Sequence, residues 1–177
     1  MKSKDNHKLI EALKNGGVAV VKTDTLYGLV TRADNQTAVA KVYKLKRRNP
    51  AKSLIVLIAD VSQLYDWPKL DLSDKWPGPN SVILDSPSAP DWLKNSDGTV
   101  AYRLPDDDGL RQLLGLTGPL VAPSANLEGQ PPAEDIAQAV DYFGDGVDVY
   151  VDEGEVSADQ PPSKLWRLNN GEWERLR

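Results

Sequence analysis

The sequence predicts an α/β fold: one domain over residues 1–177, a single twisted mixed β-sheet with flanking helices. Three observations lead there. Short apolar runs such as Val18–Val21 and Pro119–Ala122 alternate with segments whose apolar residues recur at helical spacing. The mixed spacing between them favours a mixed sheet over regular strand–helix–strand repeats. The length of 177 residues is that of one domain, and a chain of this size buries roughly 70% of its unfolded surface without disulfide or structural metal.

Taken in order, Leu9, Ile10 and Leu13 predict a short first helix closed by Gly16-Gly17, and Val18–Val21 a buried strand. Thr23 to Leu29 follows as the exit of that strand, where ligands bind in open α/β sheets. Val39, Val42 and Tyr43 predict a helix from Gln36 to about Lys46, ended by Asn49-Pro50. Ser53–Ile58 reads as a second buried strand, and residues 60–76 as two short helices broken by Pro68. Trp76-Pro77-Gly78-Pro79 is a turn, followed by a strand over Val82–Leu84 and a polar excursion with a helical turn near Trp92. Thr99–Leu104 is a strand, Asp108–Leu114 a helix and Pro119–Ala122 a strand. Ile136, Val140 and Phe143 mark a helix preceded by Pro131-Pro132 and Glu134-Asp135, favourable signals at a helix start. Val147–Val151 is a strand, Asp152–Gln160 an acidic loop, and two short strands flank Gly171.

Composition removes several chemistries. Without cysteine there is no disulfide, thiolate zinc site or thiol nucleophile, and with His7 as the sole histidine no multi-histidine metal site within one chain. No run approaches the ~18 apolar residues of a membrane span, and Met1 to Leu9 lacks a signal-peptide apolar region. The reading is a cytoplasmic protein without a membrane partner. A net charge of −5 disfavours non-specific nucleic-acid binding as the main activity and leaves a local basic groove open.

Three groups of residues carry chemistry. Thr23 to Leu29 is either an ordinary strand-to-helix loop of backbone-bonding Thr and Asp, or a substrate loop in which Thr25 bonds a polar group and Gly28 admits close backbone approach. Lys41, Lys44, Lys46, Arg47, Arg48 and Lys52 place six cations within twelve residues. Lys46, Arg48 and Lys52 bracket a helix end and suit a triphosphate, Arg by planar two-point contacts and Lys as a point charge. Ser124 and Asn126 face one side if the chain stays extended, where they either build a local turn or bond a ligand; with no base nearby, Ser124 is read as a hydrogen-bonding residue and not a nucleophile. Arg103, inside an apolar strand, needs a partner: an internal Asp or a substrate carboxylate. Asp106-Asp107-Asp108 reads as a solvated helix start, and the tryptophans as packing anchors, with Trp76 a possible border of a base pocket.

Together these segments resemble the YrdC-like family of threonylcarbamoyl-AMP synthases, with its sheet shared by dihydroxybutanone-phosphate-synthase-like proteins. The resemblance rests on Thr23 to Leu29, on Lys46, Arg48 and Lys52, on Trp76-Pro77-Gly78-Pro79, on Val100 to Pro105, and on Pro123-Ser124-Ala125-Asn126 with Gly129. Each motif is weak alone, and five in order are specific. The resemblance implies a nucleotidyltransferase that joins L-threonine, bicarbonate and ATP into threonylcarbamoyl-AMP and pyrophosphate. Downstream proteins then transfer the threonylcarbamoyl group to adenosine 37 of tRNA. It implies that Thr25, Arg103, Ser124 and Ser163 hold threonine, with Arg103 on its carboxylate. Arg48, Lys52, Thr99, Asn126 and Arg177 hold ATP, and Lys46, Arg48 and Lys52 serve catalysis by neutralising phosphate charge. Mg²⁺ is expected to arrive with the phosphates and not in a protein cage.

Some positions depart from the family pattern. Lys22 stands in place of proline, Asn80-Ser81 in place of an apolar residue and threonine, Pro162-Ser163-Lys164 in place of a Ser-Thr pair, and Leu57 where some relatives carry histidine. The second domain of longer relatives is expected to be absent. Two rivals remain: a non-catalytic module binding tRNA or double-stranded RNA through the same basic groove, and a carbamoyl-transfer module of the hydrogenase-maturation type, which sits in longer chains.

Overall fold

The computed structural model describes residues 3–157, 159–169 and 171–177. Its strands are β1 (Ala19–Lys22), β2 (Tyr27–Arg32), β3 (Ile55–Leu57), β4 (Asn80–Asp85), β5 (Thr99–Arg103), β6 (Leu120–Val121), β7 (Val149–Tyr150), β8 (Lys164–Asn169) and β9 (Glu172–Arg175). They form one nine-stranded sheet in the order β7-β1-β2-β6-β3-β5-β4-β8-β9. Pairing is mixed: β1–β7, β3–β5 and β4–β8 are parallel, and β1–β2, β2–β6, β3–β6, β4–β5 and β8–β9 are antiparallel.

Alternation along the strands splits the core in two. Ala19 and Val21 face one side with Leu57 and Leu120, where they meet Leu9 and Leu13 of helix α1 (Ser3–Lys14) and Leu110, Leu113 and Leu114 of α3 (Asp108–Thr117). Val20, Val56, Val82 and Tyr102 face the other, against Val39 and Val42 of α2 (Gln36–Lys46) and Ala139 and Phe143 of α4 (Ile136–Phe143). Each fully buried Leu or Val adds about 1.5–3 kcal/mol to this packing. The helix starts follow the sequence: Asn35, Asp107 and Asp135 accept from Ala38 N, Leu110 N and Gln138 N as N-caps.

Three expectations change. The chain leaving β1 does not enter a helix; it turns at once into β2, and Lys22 pairs with Tyr27 across a tight hairpin. Its turn is held by a side chain: Thr23 Oγ1 accepts from Thr25 N (3.2 Å) and Leu26 N (3.3 Å) and donates to Leu26 O (2.7 Å). Residues 60–76 hold one short turn, Val61–Gln63, in place of two helices. Lys69 is left-handed at φ 49°, and the Asp71 carboxylate captures Ser73 N at 2.9 Å, a local bond that competes with a helix. Helix α2 ends before Asn49-Pro50, because Arg47 turns left-handed at φ 51°. Arg47 N donates to Lys44 O and Arg48 N to Tyr43 O, which closes the last turn.

Candidate functional site

The left-handed Arg47 sends its two neighbours in different directions. Lys46 is 2% exposed, and its Nζ donates to Ser124 O (2.5 Å), Asn126 O (2.7 Å) and Asn126 Oδ1 (3.1 Å). All three ammonium donors therefore clamp the loop after β6. Burial lowers the Lys46 pKa to about 8, with Arg48 acting in the same direction and Glu128 opposing. Arg48 instead lines a cleft of about 230 Å³, held by bonds from Nε to Lys52 O (3.0 Å) and from Nη2 to Ser53 O (3.1 Å).

That cleft collects six of the residues singled out above, from six different segments. Thr25 comes from the β1–β2 turn, Arg48 from the loop after α2, and Arg103 from the end of β5. Ser124 follows β6, Ser163 precedes β8 and Arg177 follows β9. A Cβ at Gly28 would press on Thr23 Cγ2 at 3.2 Å, whereas its 3.7 Å to Pro123 O would be ordinary contact. Without one, Gly28 bridges to Ser124, while Leu29 N donates to Pro123 O and Ala125 N to Tyr27 O. The backbone beside Gly28 is thus the protein's own, and this pairing carries Ser124 into the cleft.

Electrostatically the cleft is cationic. Among the described residues no side-chain carboxylate lines it, and three guanidiniums do. Arg103, 4% exposed, lies at its floor with Nη2 2.9 Å from Asp24 Oδ1 and Nη1 donating to Thr25 Oγ1 at 3.1 Å. Burial pushes the Asp24 carboxyl up and the Arg103 guanidinium down, and their mutual attraction opposes both. Arg177 donates through Nε and Nη2 to Ser163 O; burial and Arg48 lower its pKa.

Other singled-out residues sit behind or beside the cleft. Asn126 does not line it: its Oδ1 accepts from Ser124 Oγ (2.6 Å) and its Nδ2 donates to Leu127 O and Gln130 O. Ser124 and Asn126 bond each other within a local turn, closed by Asn126 N donating to Ser124 O, and do not face one ligand from an extended chain. Thr99 is 8% exposed, donates to Asp97 Oδ1 and accepts from Asn95 Nδ2. It is the amide of Asn95, bonded to Ser53 Oγ at 2.5 Å, that reaches the lining. Asn95, Ser53 and Asp24 had not been singled out as site residues. Asp24 lies inside the Thr23 to Leu29 motif and Ser53 follows Lys52, whereas nothing local marks Asn95. Lys52 lies at the rim, 2.5 Å from Glu128 Oε1; the same carboxylate accepts from Asn49 N, and these bonds hold the Glu128 pKa low. Trp76 does not border the cleft; it is 6% exposed in the core and donates to Asn80 O.

The departures from the family pattern also find places. Ser81 Oγ lies 2.9 Å from Ser163 Oγ and steadies it. Lys22 Nζ donates to Glu155 O (2.9 Å), while Tyr27 Oη donates to Gly154 O (2.8 Å) and accepts from Glu153 N. Both fasten the acidic loop upstream of Ser163. Lys164 is exposed at the start of β8, and Leu57 is fully buried in the core.

Comparison with known proteins follows the same geometry. The model of the Sua5, YciO and YrdC family, described under telomere recombination, matches residues 11–177. The chain belongs to this family. A threonylcarbamoyl-AMP synthase of Chromohalobacter salexigens is 33% identical over 172 residues, covering 92% of each chain. One from Enterobacter sp. (strain 638) is 32% identical over 174 residues, covering 92% of this chain and 90% of the relative. Among solved structures, P. abyssi Sua5 complexed with L-threonine matches with a TM-score of 0.89 at 26% identity, over 100% of this chain and 54% of that one. The Sua5, YciO and YrdC chain described here thus spans about half the length of that protein. E. coli YciO, at 21% identity and TM-score 0.86 over 99% of this chain and 89% of that one, shares the fold.

Among the described residues no group of three His, Cys, Asp or Glu side chains is placed to hold a metal ion, and no helix is long and apolar enough to cross a membrane.

Proposed function

We propose that this protein is an L-threonylcarbamoyl-AMP synthase. The observation that carries the reading is the convergence of Thr25, Arg48, Arg103, Ser124, Ser163 and Arg177 on one cleft that no side-chain carboxylate lines among the described residues. Synthases of that name resemble the chain over nine-tenths of its length, and a neighbour of the same fold is a complex with L-threonine.

In this reading the α-carboxylate of threonine meets Arg103, with Thr25, Ser124 and Ser163 bonding its remaining polar groups. The amine and bicarbonate condense to a carbamate with loss of water. A carbamate oxygen then forms a bond to the α-phosphorus of ATP as the bond to the bridging oxygen breaks, and pyrophosphate leaves with that electron pair. Arg48, Arg177 and Lys52 stabilise the charge that develops on the phosphates, the largest demand of such a transfer. Lys46, Asn126 and Thr99 act from behind the wall: Lys46 and Asn126 shape the loop that presents Ser124, and Thr99 orients Asn95. The carbamate is the nucleophile, so no activated side chain is required. Mg²⁺ fits as an ion brought by the triphosphate, because the lining offers it no carboxylate. The product serves the threonylcarbamoyl modification of adenosine 37 in tRNA through downstream transfer proteins.

The test is incubation with ATP, Mg²⁺, bicarbonate and each amino acid in turn, with pyrophosphate as the readout. Release is expected with L-threonine and only when bicarbonate is present. Absence of release with every amino acid would end the proposal.

A further inference from the structure

Asp24 is a buried carboxylate that the reaction above does not use. Its side chain is 8% exposed, and it is not among the residues lining the cleft. Its oxygens accept no well-aligned side-chain hydrogen bond among the described residues. What they have is the ion pair to Arg103 Nη2 at 2.9 Å, with the Asp106 backbone also favouring the charged form and Asp107 opposing it.

The guanidinium on the other side of this pair is only half used. A guanidinium has five N–H donors in a fixed plane. Asp24 and Thr25 engage one nitrogen each, Nη2 and Nη1. Nε is buried without a hydrogen-bond partner among the described residues. A buried donor left unsatisfied is costly, and such donors concentrate where a ligand completes them. The β1–β2 turn sets this geometry: Thr23 Oγ1 caps Thr25 N and Leu26 N, which brings Asp24 and Thr25 to Arg103 together. Arg177 stands across the cleft and opposes the charge of Arg103. Without Asp24 that repulsion would act on an untethered side chain.

We propose that Asp24 is a positioning residue: it pins Arg103 from behind so that the remaining guanidinium donors meet the carboxylate of the amino-acid substrate. The role rests on the amino-acid-activating reading of the cleft. Asp24 touches no reacting atom; it acts through Arg103, and it leaves the nucleotide side of the cleft alone.

The test compares the wild type with Asp24→Asn, Asp24→Glu, Arg103→Met and the double variant Asp24→Asn/Arg103→Met. The readouts are thermal melting, calorimetric binding of L-threonine, and pyrophosphate release with L-threonine and with its carboxamide. Asp24→Asn should raise the KM for threonine by about 10- to 100-fold, the span of one charge-assisted hydrogen bond, and leave the KM for ATP unchanged. Its preference for the acid over the amide should shrink by a similar factor. In the Arg103→Met background Asp24→Asn should add nothing further to the threonine KM. A folded Asp24→Asn with wild-type threonine KM and wild-type acid-to-amide preference would overturn the role, as would multiplying effects in the double variant. If Asp24→Asn does not fold, Asp24→Glu decides: it keeps the charge and shifts its position. A raised threonine KM with unchanged ATP KM supports positioning, and a wild-type KM overturns it. Failure of the wild type itself to bind L-threonine would end the functional reading, an outcome separate from the role of Asp24.

Discussion

Arg103 on the floor of the cleft is 4% exposed and ion-paired, whereas Arg48 and Arg177 at the rim donate to carbonyl and hydroxyl oxygens, with no carboxylate partner among the described residues. The two regions carry the same charge in different ways. On the floor, a buried cation requires a buried anion, and the pair is locked by the β1–β2 turn. At the rim, solvent screens the charges, and backbone carbonyls are enough to aim them. The difference teaches where specificity and where charge stabilisation reside. The rigid floor suits a small ligand with one carboxylate, and the rim, where Arg48 and Arg177 have no carboxylate partner among the described residues, suits a flexible polyanion.

The largest effect is expected from breaking the floor. Arg103→Ala leaves Asp24 buried and alone, and should lower stability by about 3–5 kcal/mol in denaturant unfolding. The folded fraction should show a sharply raised KM for threonine; an unchanged KM would give Arg103 a structural role only. Breaking the rim should do the reverse. Arg48→Ala should lose about 2–4 kcal/mol of transition-state stabilisation, read as pyrophosphate release, with little change in melting temperature. Near-normal release would count against the assignment of ATP to that side.

Lys46 lies between the two regions, buried like the floor but next to the rim in sequence. Its folded pKa of about 8 is below its ordinary value, so between pH 8 and about 10.4 the unfolded chain holds the proton more tightly. The contribution of this group is therefore present above the unfolded value and is lost as pH falls through 8. Raising the pH from 8 to 10 should add about 2 kcal/mol of stability from Lys46. Lys46→Met should flatten that slope, seen by urea titrations at several pH values. The smallest effect is expected at the exposed Lys52–Glu128 pair. Glu128→Gln should leave stability almost unchanged, because solvent screens this pair. It should also lower the KM for ATP a little by releasing Lys52, and that gain should fade as salt is raised.

Much of the floor was readable in the sequence, because Val18–Val21 and Thr99–Leu104 announce buried strands and an arginine among them demands a partner. The hairpin that supplies the partner was not readable. Its turn is built by the Thr23 hydroxyl in place of the Asn-Gly or Gly-rich signals that mark most tight hairpins. Helix α2 was readable over its whole length, Gln36 to Lys46, but what ends it was not: a left-handed Arg47 stands where glycine or asparagine is usual, ahead of Asn49-Pro50. That single residue decides that Lys46 points at Ser124 and Asn126 while Arg48 points into the cleft. Asn95 was missed because it sits in a polar loop with no local signature, and its place in the site is set by bonds to Ser53 and Thr99.

By itself the sequence determined the kinds of elements, the chemistry available and the absence of thiol or multi-histidine options, because periodicity, turn residues and composition are local properties. Which side chains share the cleft was decided by tertiary structure alone. The parallel pairing of β4 with β8 and the antiparallel return of β9 bring Arg177 to a wall whose other residues lie far away along the chain. The physical reason is that the direction of a side chain at the end of a strand or helix follows from its pairing with distant backbone, and no window of sequence contains that information.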